Sequence, residues 1–234
     1  MIKKEKKPIA VFDIDGTIFR SSLVIELTSA LVQGGIFPSS ARGKIEKHFL
    51  KWSNRQGSYE QYIDRVVEVF HSHIVGCKVG DVSRMSKVVI QSQKNKVYRY
   101  TRDLISSLRG RYLFLAISGS PLEMVEAFAR EWNFDYAFGT THGIKNGIYT
   151  KEMIVPAENK KKTLKNFVRE RGLSLARSVG VGDTEGDISF LEIVSKPICF
   201  NPNKRLYTVA RRKKWPIVVE RKDVIYKIGS KGKG

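Results

Sequence analysis

The sequence is poor in cysteine, in acid and in long apolar runs, and each shortage narrows what the chain can be. Its only cysteines are Cys77 and Cys199, and neither stands in a metal-ligand spacing. Two buried free thiols in a reducing compartment are therefore expected, rather than a disulfide framework or a thiolate metal site. No stretch approaches the ~20 consecutive apolar residues of a membrane span. The basic run Lys3-Lys4-Glu5-Lys6-Lys7 is followed by too short an apolar segment for a secretory signal, so a cytoplasmic protein is expected. Acids number 23 against 42 lysines and arginines, a net charge of +19. That excess favours anionic partners: phosphorylated metabolites, nucleic acid or anionic headgroups. Histidine is also scarce. His71 and His73 are two apart on an expected helix and face different ways, His48 and His142 are isolated, and all four read as structural.

What is present describes a folded domain. The 234 residues suffice for one large domain, or for a domain carrying a smaller one. A chain of this size buries roughly 70–75% of its unfolded surface, and 41% hydrophobic with 28% charged residues is a globular balance. No internal repeat is evident. After a first apolar strand, Ile9 to Phe12, strand patterning is absent until Arg111, and apolar stripes at helical spacing fill the gap. Leu23, Val24, Leu27 and Leu31 form one, closed by Gly34-Gly35; Ile45, Phe49 and Trp52 mark a second. Tyr59, Tyr62, Ile63, Val66, Val67 and Phe70 form a third, and Val82, Met85 and Val89 a fourth. Residues 20–95 thus read as a small helical cap inserted into a core made of 1–19 and 96–234.

From Val97 onward, helical and strand patterns alternate. Helices are expected at Val97–Leu108, Pro121–Trp132, Glu158–Arg171, Asp187–Val194 and Lys204–Lys213. Strands are expected at Arg111–Ser118, Tyr136–Phe138, Ser178–Gly182, Pro197–Phe200 and, last, Ile217–Val219. His142 to Tyr149 reads as a hairpin with Lys145-Asn146-Gly147 at its tip. Both basic termini read as frayed tails. This alternation implies an α/β fold, a doubly wound, Rossmann-like parallel sheet with helices on both faces, and such sheets bind ligands beyond the carboxyl ends of their strands.

Three polar clusters fall at those strand ends. Asp13 and Asp15 end the first strand, on one side of it, and are followed by Gly16-Thr17. Two acids so close repel unless one is protonated or a cation lies between them, although a strand end followed by an Asp-Gly turn is also common. Ser118-Gly119-Ser120 ends the second long strand, and Gly182-Asp183-Thr184-Glu185-Gly186-Asp187 ends a third. Ser120-Pro121-Leu122-Glu123 has the pattern of a capping box, so Ser120 is read as a helix cap without a catalytic role. Ser118 and the Gly119 amide could meet an anion near that helix. Four carboxylates, Asp13, Asp15, Asp183 and Asp187, on one sheet edge call for a divalent cation, and hard oxygen ligands point to Mg²⁺. Of Lys160, Lys161 and Lys162, helical phase with Leu164 selects Lys160 as the ammonium aimed inward.

Together these segments resemble the four motifs of the haloacid dehalogenase superfamily: Asp-Ile-Asp-Gly-Thr at 13–17, the strand into Ser118, Lys160, and Gly182 to Asp187. The position of the cap resembles the phosphoserine-phosphatase-like branch, as does Asn201-Pro202-Asn203-Lys204-Arg205-Leu206 leading to Trp215-Pro216. The resemblance implies a phosphatase acting on a small phosphorylated substrate. Asp13 would be the nucleophile and form an aspartyl-phosphate; Asp15 would be the general acid and base. Ser118, Gly119 and Lys160 would hold phosphoryl oxygens. Mg²⁺ would lie on Asp13, the Asp15 carbonyl and Asp183, with Asp187 close behind. One departure bears on the substrate. The branch places a glutamate about nine residues past the nucleophile, against the ammonium of phosphoserine; here Ser22 stands there and Glu26 is the nearest acid. Cations of the cap, Arg20, Arg42, Lys44, Lys47, Lys51 and Arg55, would suit a more anionic molecule if they face inward. The charge also leaves open a phosphatase of nucleic-acid ends or lipid headgroups, or a basic RNA-binding protein on the same fold.

Overall fold

A computed structural model describes residues 7–229. Strand β1 (Ile9–Phe12) is buried at every position. Four helices separate it from the next strand: α1 (Leu23–Gln33), α2 (Ser40–Ser53), α3 (Tyr59–Ile74) and α4 (Val79–Gln93). There follow α5 (Arg99–Leu108), β2 (Leu113–Pro121), α6 (Leu122–Glu131), β3 (Tyr136–Lys145) and β4 (Ile148–Ile154). The chain continues through α7 (Lys160–Glu170), β5 (Val179–Gly182), α8 (Ile188–Leu191), β6 (Lys196–Phe200), α9 (Lys204–Lys213), β7 (Ile217–Arg221) and β8 (Val224–Ile228).

The eight strands form one sheet in the order β4-β3-β2-β1-β5-β6-β7-β8. It is parallel from β3 to β7 and antiparallel at each edge. Alternate residues of β1 feed different cores: Ala10 and Phe12 pack with α1, α3, α4, α5 and α6, whereas Ile9 and Val11 pack with α7, α8 and α9. This is the doubly wound α/β architecture that the alternation of patterns implied, with a helical insertion after the first strand. Because β1 lies between β2 and β5, the carboxyl ends of these three strands are neighbours. The three polar clusters therefore meet.

Several boundaries differ from expectation for local reasons. The short strand at 136–138 and the first arm of the hairpin are one strand, β3. Gly139 lets it pass the start of α6, where an added Cβ would lie 2.8 Å from the Leu122 Cα. Ile217–Val219 is not the last strand. β7 extends to Arg221, turns at Lys222 with φ 52°, and returns as β8. The helix expected over 187–194 is only α8, preceded by a 3₁₀ turn at Glu185–Asp187. The lysines at 3–6 and the last residues, 230–234, lie outside the described residues. Cys77 and Cys199 are both free. No helix among the described residues is long and apolar enough to cross a membrane.

Candidate active site

Asp13 leaves the end of β1 and is almost wholly buried. Its Oδ1 accepts a 2.6 Å bond from Lys160 Nζ, which donates a second, also of 2.6 Å, to Asp187 Oδ1. Lys160 starts α7, whose Leu164 and Phe167 pack into the core below, and this phase brings its ammonium inward. Asp187 is fixed in turn, its Oδ2 accepting from the amides of Asp183 at 2.9 Å and Thr184 at 3.0 Å. Asp183 Oδ1 accepts from Thr17 Oγ1 at 3.1 Å. Gly16 permits this approach, with φ +78° and no room for a Cβ against the Asp183 carboxylate. Ligand oxygens of Asp13, Asp183 and Asp187 lie within 4.8 Å of one another.

The electrostatics follow from this crowding. Burial, together with the charges of Asp187 and Asp15, raises the Asp13 pKa to about 7 despite Lys160. Asp183 is pushed well above the usual carboxylate range, by burial first and then by Asp13 and Asp187. Burial pulls Lys160 down, but the two carboxylates outweigh it and its pKa rises. One ammonium thus faces more negative charge than it neutralises. Asp13 Oδ2 remains without a partner, and among the described residues the only other such buried side-chain atom is His48 Nδ1. A buried acceptor left unsatisfied is costly, and Asp13 belongs to the carboxylate set that could hold a metal ion.

Asp15 has different surroundings. Its Oδ1 accepts from the Leu23 amide at 2.5 Å, and its Oδ2 from Ser118 Oγ at 2.6 Å and Ser120 Oγ at 2.9 Å. Ser120 Oγ also accepts from the Val24 amide at 3.2 Å. Helix α1 has no side-chain cap from Ser22, so Asp15 and Ser120 serve its first free amides instead. The expectation that Ser120 caps the helix after it is wrong. Pro121 occupies the N-cap of α6 and makes no side-chain bond, while Ser120 turns to Asp15, over a hundred residues away in sequence. Ser118 is fully buried and directed at Asp15, while Gly119 lines the open cleft.

The cleft above these residues has a volume of about 1080 Å³ and extends between the sheet edge and α3. Asp13, Asp15, Lys160 and Asp183 line its floor, and Ser22, Tyr59 and Ile63 belong to its insertion side.

The haloacid dehalogenase-like hydrolase family matches residues 10–192. The chain belongs to it.

Among individual members of this hydrolase family, the chain is similar to a phosphoserine phosphatase of Mycobacterium tuberculosis. The two are 24% identical over 89% of this chain and 69% of that protein. A crystal structure of a protein of unknown function from Bordetella pertussis superimposes with a TM-score of 0.73 at 18% identity, covering 91% of this chain and 98% of that one. A phosphoserine phosphatase captured as an analogue of its phospho-aspartyl intermediate gives 0.58 at 22% identity, covering 94% and 96%.

The fold brings together Asp13, Asp15, Ser118, Gly119, Lys160, Asp183 and Asp187. It does not bring in the cap cations as a group: only Arg20 lines space adjoining the site. Glu26 is held by Gln93 at 2.7 Å and Lys96 at 2.9 Å and lies outside the cleft lining. His142 is not isolated, since its Nε2 is 2.9 Å from His71 Nδ1. The sequence patterns give Thr17 no partner, make Ser120 a helix cap and put Tyr59 in a core stripe; the structure sets all three at the site. For Thr17 a signal existed, its place directly after the paired acids. For Ser120 the capping pattern pointed elsewhere.

Proposed function

We propose that this hydrolase cleaves phosphomonoesters with the help of Mg²⁺, through an aspartyl-phosphate on Asp13. The observation that carries the reading is Asp13 Oδ2, a buried carboxylate oxygen without a hydrogen bond, on a residue that lines the cleft together with Lys160 and Asp183. Oδ2 attacks phosphorus, and the P–O bond to the alcohol breaks. Asp15 delivers a proton to the departing oxygen, then removes one from the water that attacks the aspartyl-phosphate. That second step releases phosphate and restores the Asp13 carboxylate. Lys160 keeps Oδ1 occupied and leaves Oδ2 to react. Ser118 and the Gly119 amide take phosphoryl oxygens once Ser118 turns from Asp15.

The residues present fit Mg²⁺. Three carboxylates supply hard oxygen donors within one ion's reach, and the raised pKa values of Asp13 and Asp183 mark charge that one lysine does not balance. Asp13, the Asp15 carbonyl and Asp183 would hold the ion, with Asp187 behind. Bound there, it would neutralise the phosphoryl oxygens and polarise phosphorus toward attack. Residues 20–95 act as a cap on the core formed by 1–19 and 96–234, and they set the substrate. A small phosphorylated metabolite fits, and phosphoserine is disfavoured. Ser22 stands where the resemblance puts a carboxylate, and Glu26 is spent on Gln93 and Lys96.

Asp13→Asn tests the assignment without adding bulk. Turnover of a panel of phosphate esters with Mg²⁺ should fall by a factor on the order of 10⁴ or more, with the thermal transition retained. Comparable turnover by the variant would remove Asp13 as nucleophile.

A further inference from the structure

Beside the main cleft lies a second lobe of about 440 Å³, which shares Tyr59, Asp183 and Asn201 with it. Its walls are rings of the insertion and its junction: Phe49, Trp52, Tyr59, Tyr62 and Tyr98. Trp52 stacks on Tyr62 at 5.5 Å with planes 8° apart, and Tyr59 meets Trp52 edge-on at 5.3 Å. Tyr62 is buried behind them at 7%, Trp52 and Tyr98 are half-buried, and Phe49 remains 41% and Tyr59 43% exposed. Tyr59 lines both the lobe and the main cleft, where Asp13, Asp15 and Asp183 share the lining with it.

Arg20 completes the lobe. It is exposed, its guanidinium lies 5.8 Å from the Tyr98 ring centroid, and it forms no ion pair with any described residue. Accessible flat rings beside an unpaired forked donor suit a planar group with acceptor atoms on its edge. Such surfaces bind bases by stacking, with arginine reading ring nitrogen and carbonyl oxygen. A flexible polyol would use neither feature, and an amino acid would use only the arginine, through its carboxylate, leaving the rings bare. Asp183 is the sole carboxylate in the lobe lining, and it belongs to the metal-binding set.

We infer that this lobe is the leaving-group subsite and takes a nucleobase, so that the substrate is a nucleotide phosphomonoester, free or at the end of a strand. This rests on the phosphatase reading. The phosphoryl group would sit at Asp13 and Lys160, with the sugar passing Tyr59 and the base on the Trp52 and Tyr59 wall near Arg20.

The test compares kcat/KM for adenosine 5′-monophosphate, glycerol phosphate, phosphoserine, hexyl phosphate and a 5′-phosphorylated oligonucleotide, with acetyl phosphate as the minimal substrate. The expected result is at least a ~10-fold preference for the nucleotide over glycerol phosphate, phosphoserine and hexyl phosphate, the size of one stacking contact. Trp52→Leu and Arg20→Leu should each shrink that preference several-fold; Arg20→Leu, at an exposed position, serves if Trp52→Leu misfolds. An oligonucleotide preferred over the mononucleotide would support the subsite and name a strand end as its source. Hexyl phosphate equal to the nucleotide would overturn the inference in favour of a merely apolar lobe. Glycerol phosphate or phosphoserine equal to it would overturn it outright. If nothing is hydrolysed, acetyl phosphate included, the phosphatase reading fails. Equilibrium dialysis of the nucleotide against glycerol phosphate on Asp13→Asn protein then decides the lobe alone, and equal binding overturns it.

Discussion

On the sheet side of the cleft, Lys160 is clamped between two carboxylates at 2.6 Å each, and Asp187 collects two backbone amides besides. On the insertion side, Phe49 and Tyr59 of the aromatic wall stay exposed, and Arg20 has no counterion among the described residues. The first region is built from buried charges whose positions are fixed by one another. The second is built from shape, with polar groups left available. A phosphoryl group is the same in every ester, so the region that meets it can be rigid. The alcohol differs, and the exposed rings are where that difference can be read.

Breaking the sheet side should have the largest effect. Lys160→Met leaves Asp13 and Asp187 buried without their ammonium, a loss of roughly 3–5 kcal/mol and a Tm lower by roughly 6–20 °C. Added Mg²⁺ should recover part of that fall, because the ion takes over the neutralisation. A Tm indifferent both to the substitution and to Mg²⁺ would contradict the charge balance described.

Ser120→Ala acts where the two regions join, and its effect should be smaller. Losing the bond to Asp15 and the Val24 amide should cost about 1 kcal/mol, as the loss of a helix cap does. It should also reduce kcat/KM about tenfold for alkyl phosphates and less for aryl phosphates, whose departure needs little proton transfer. Equal losses on both classes would make Ser120 structural only.

The smallest effect concerns the contact between α3 and β3. Burial lowers the pKa of His71 and of His142, and for His71 the neighbouring ring adds to it. Lys151 lines the same small cavity. Both neutral rings are favoured by folding, so their contribution is complete above about pH 6.5 and is lost as pH falls through the lower folded values. The change should stay under about 1 kcal/mol because both rings are half exposed. His142→Gln should flatten the dependence of Tm on pH between about 7 and 5.5, and an unchanged slope would assign it to other groups.

Much of the sheet side could be read in the sequence because its signals are local. Asp13 and Asp15 end an apolar run, Gly182 to Asp187 end another, and the spacing of Lys160 to Leu164 gives the inward lysine. The insertion side was less legible. Ser120 carried a strong local pattern for a helix cap, yet the partner it takes is Asp15. Trp52, Tyr59 and Tyr62 registered as core-forming stripes, and periodicity does not distinguish a ring buried in packing from one left open to a cavity. Strand β8 was hidden for a related reason. Its alternation follows a basic turn and reads as part of the basic tail, and only pairing with β7 gives it a place.

Asp15 holds the Leu23 amide as well as facing the cleft, so one carboxylate answers to two demands at once. A substitution that empties the position also loosens the helix leading into the insertion, and loss of turnover and loss of architecture then arrive together. An amide in place of the acid keeps an acceptor oxygen for Leu23 while giving up the transferable proton. Chemistry and scaffold can thus be separated at Asp15 by Asn and not by Ala, and any natural drift of the insertion's first turn is tied to a residue that the reaction itself holds in place.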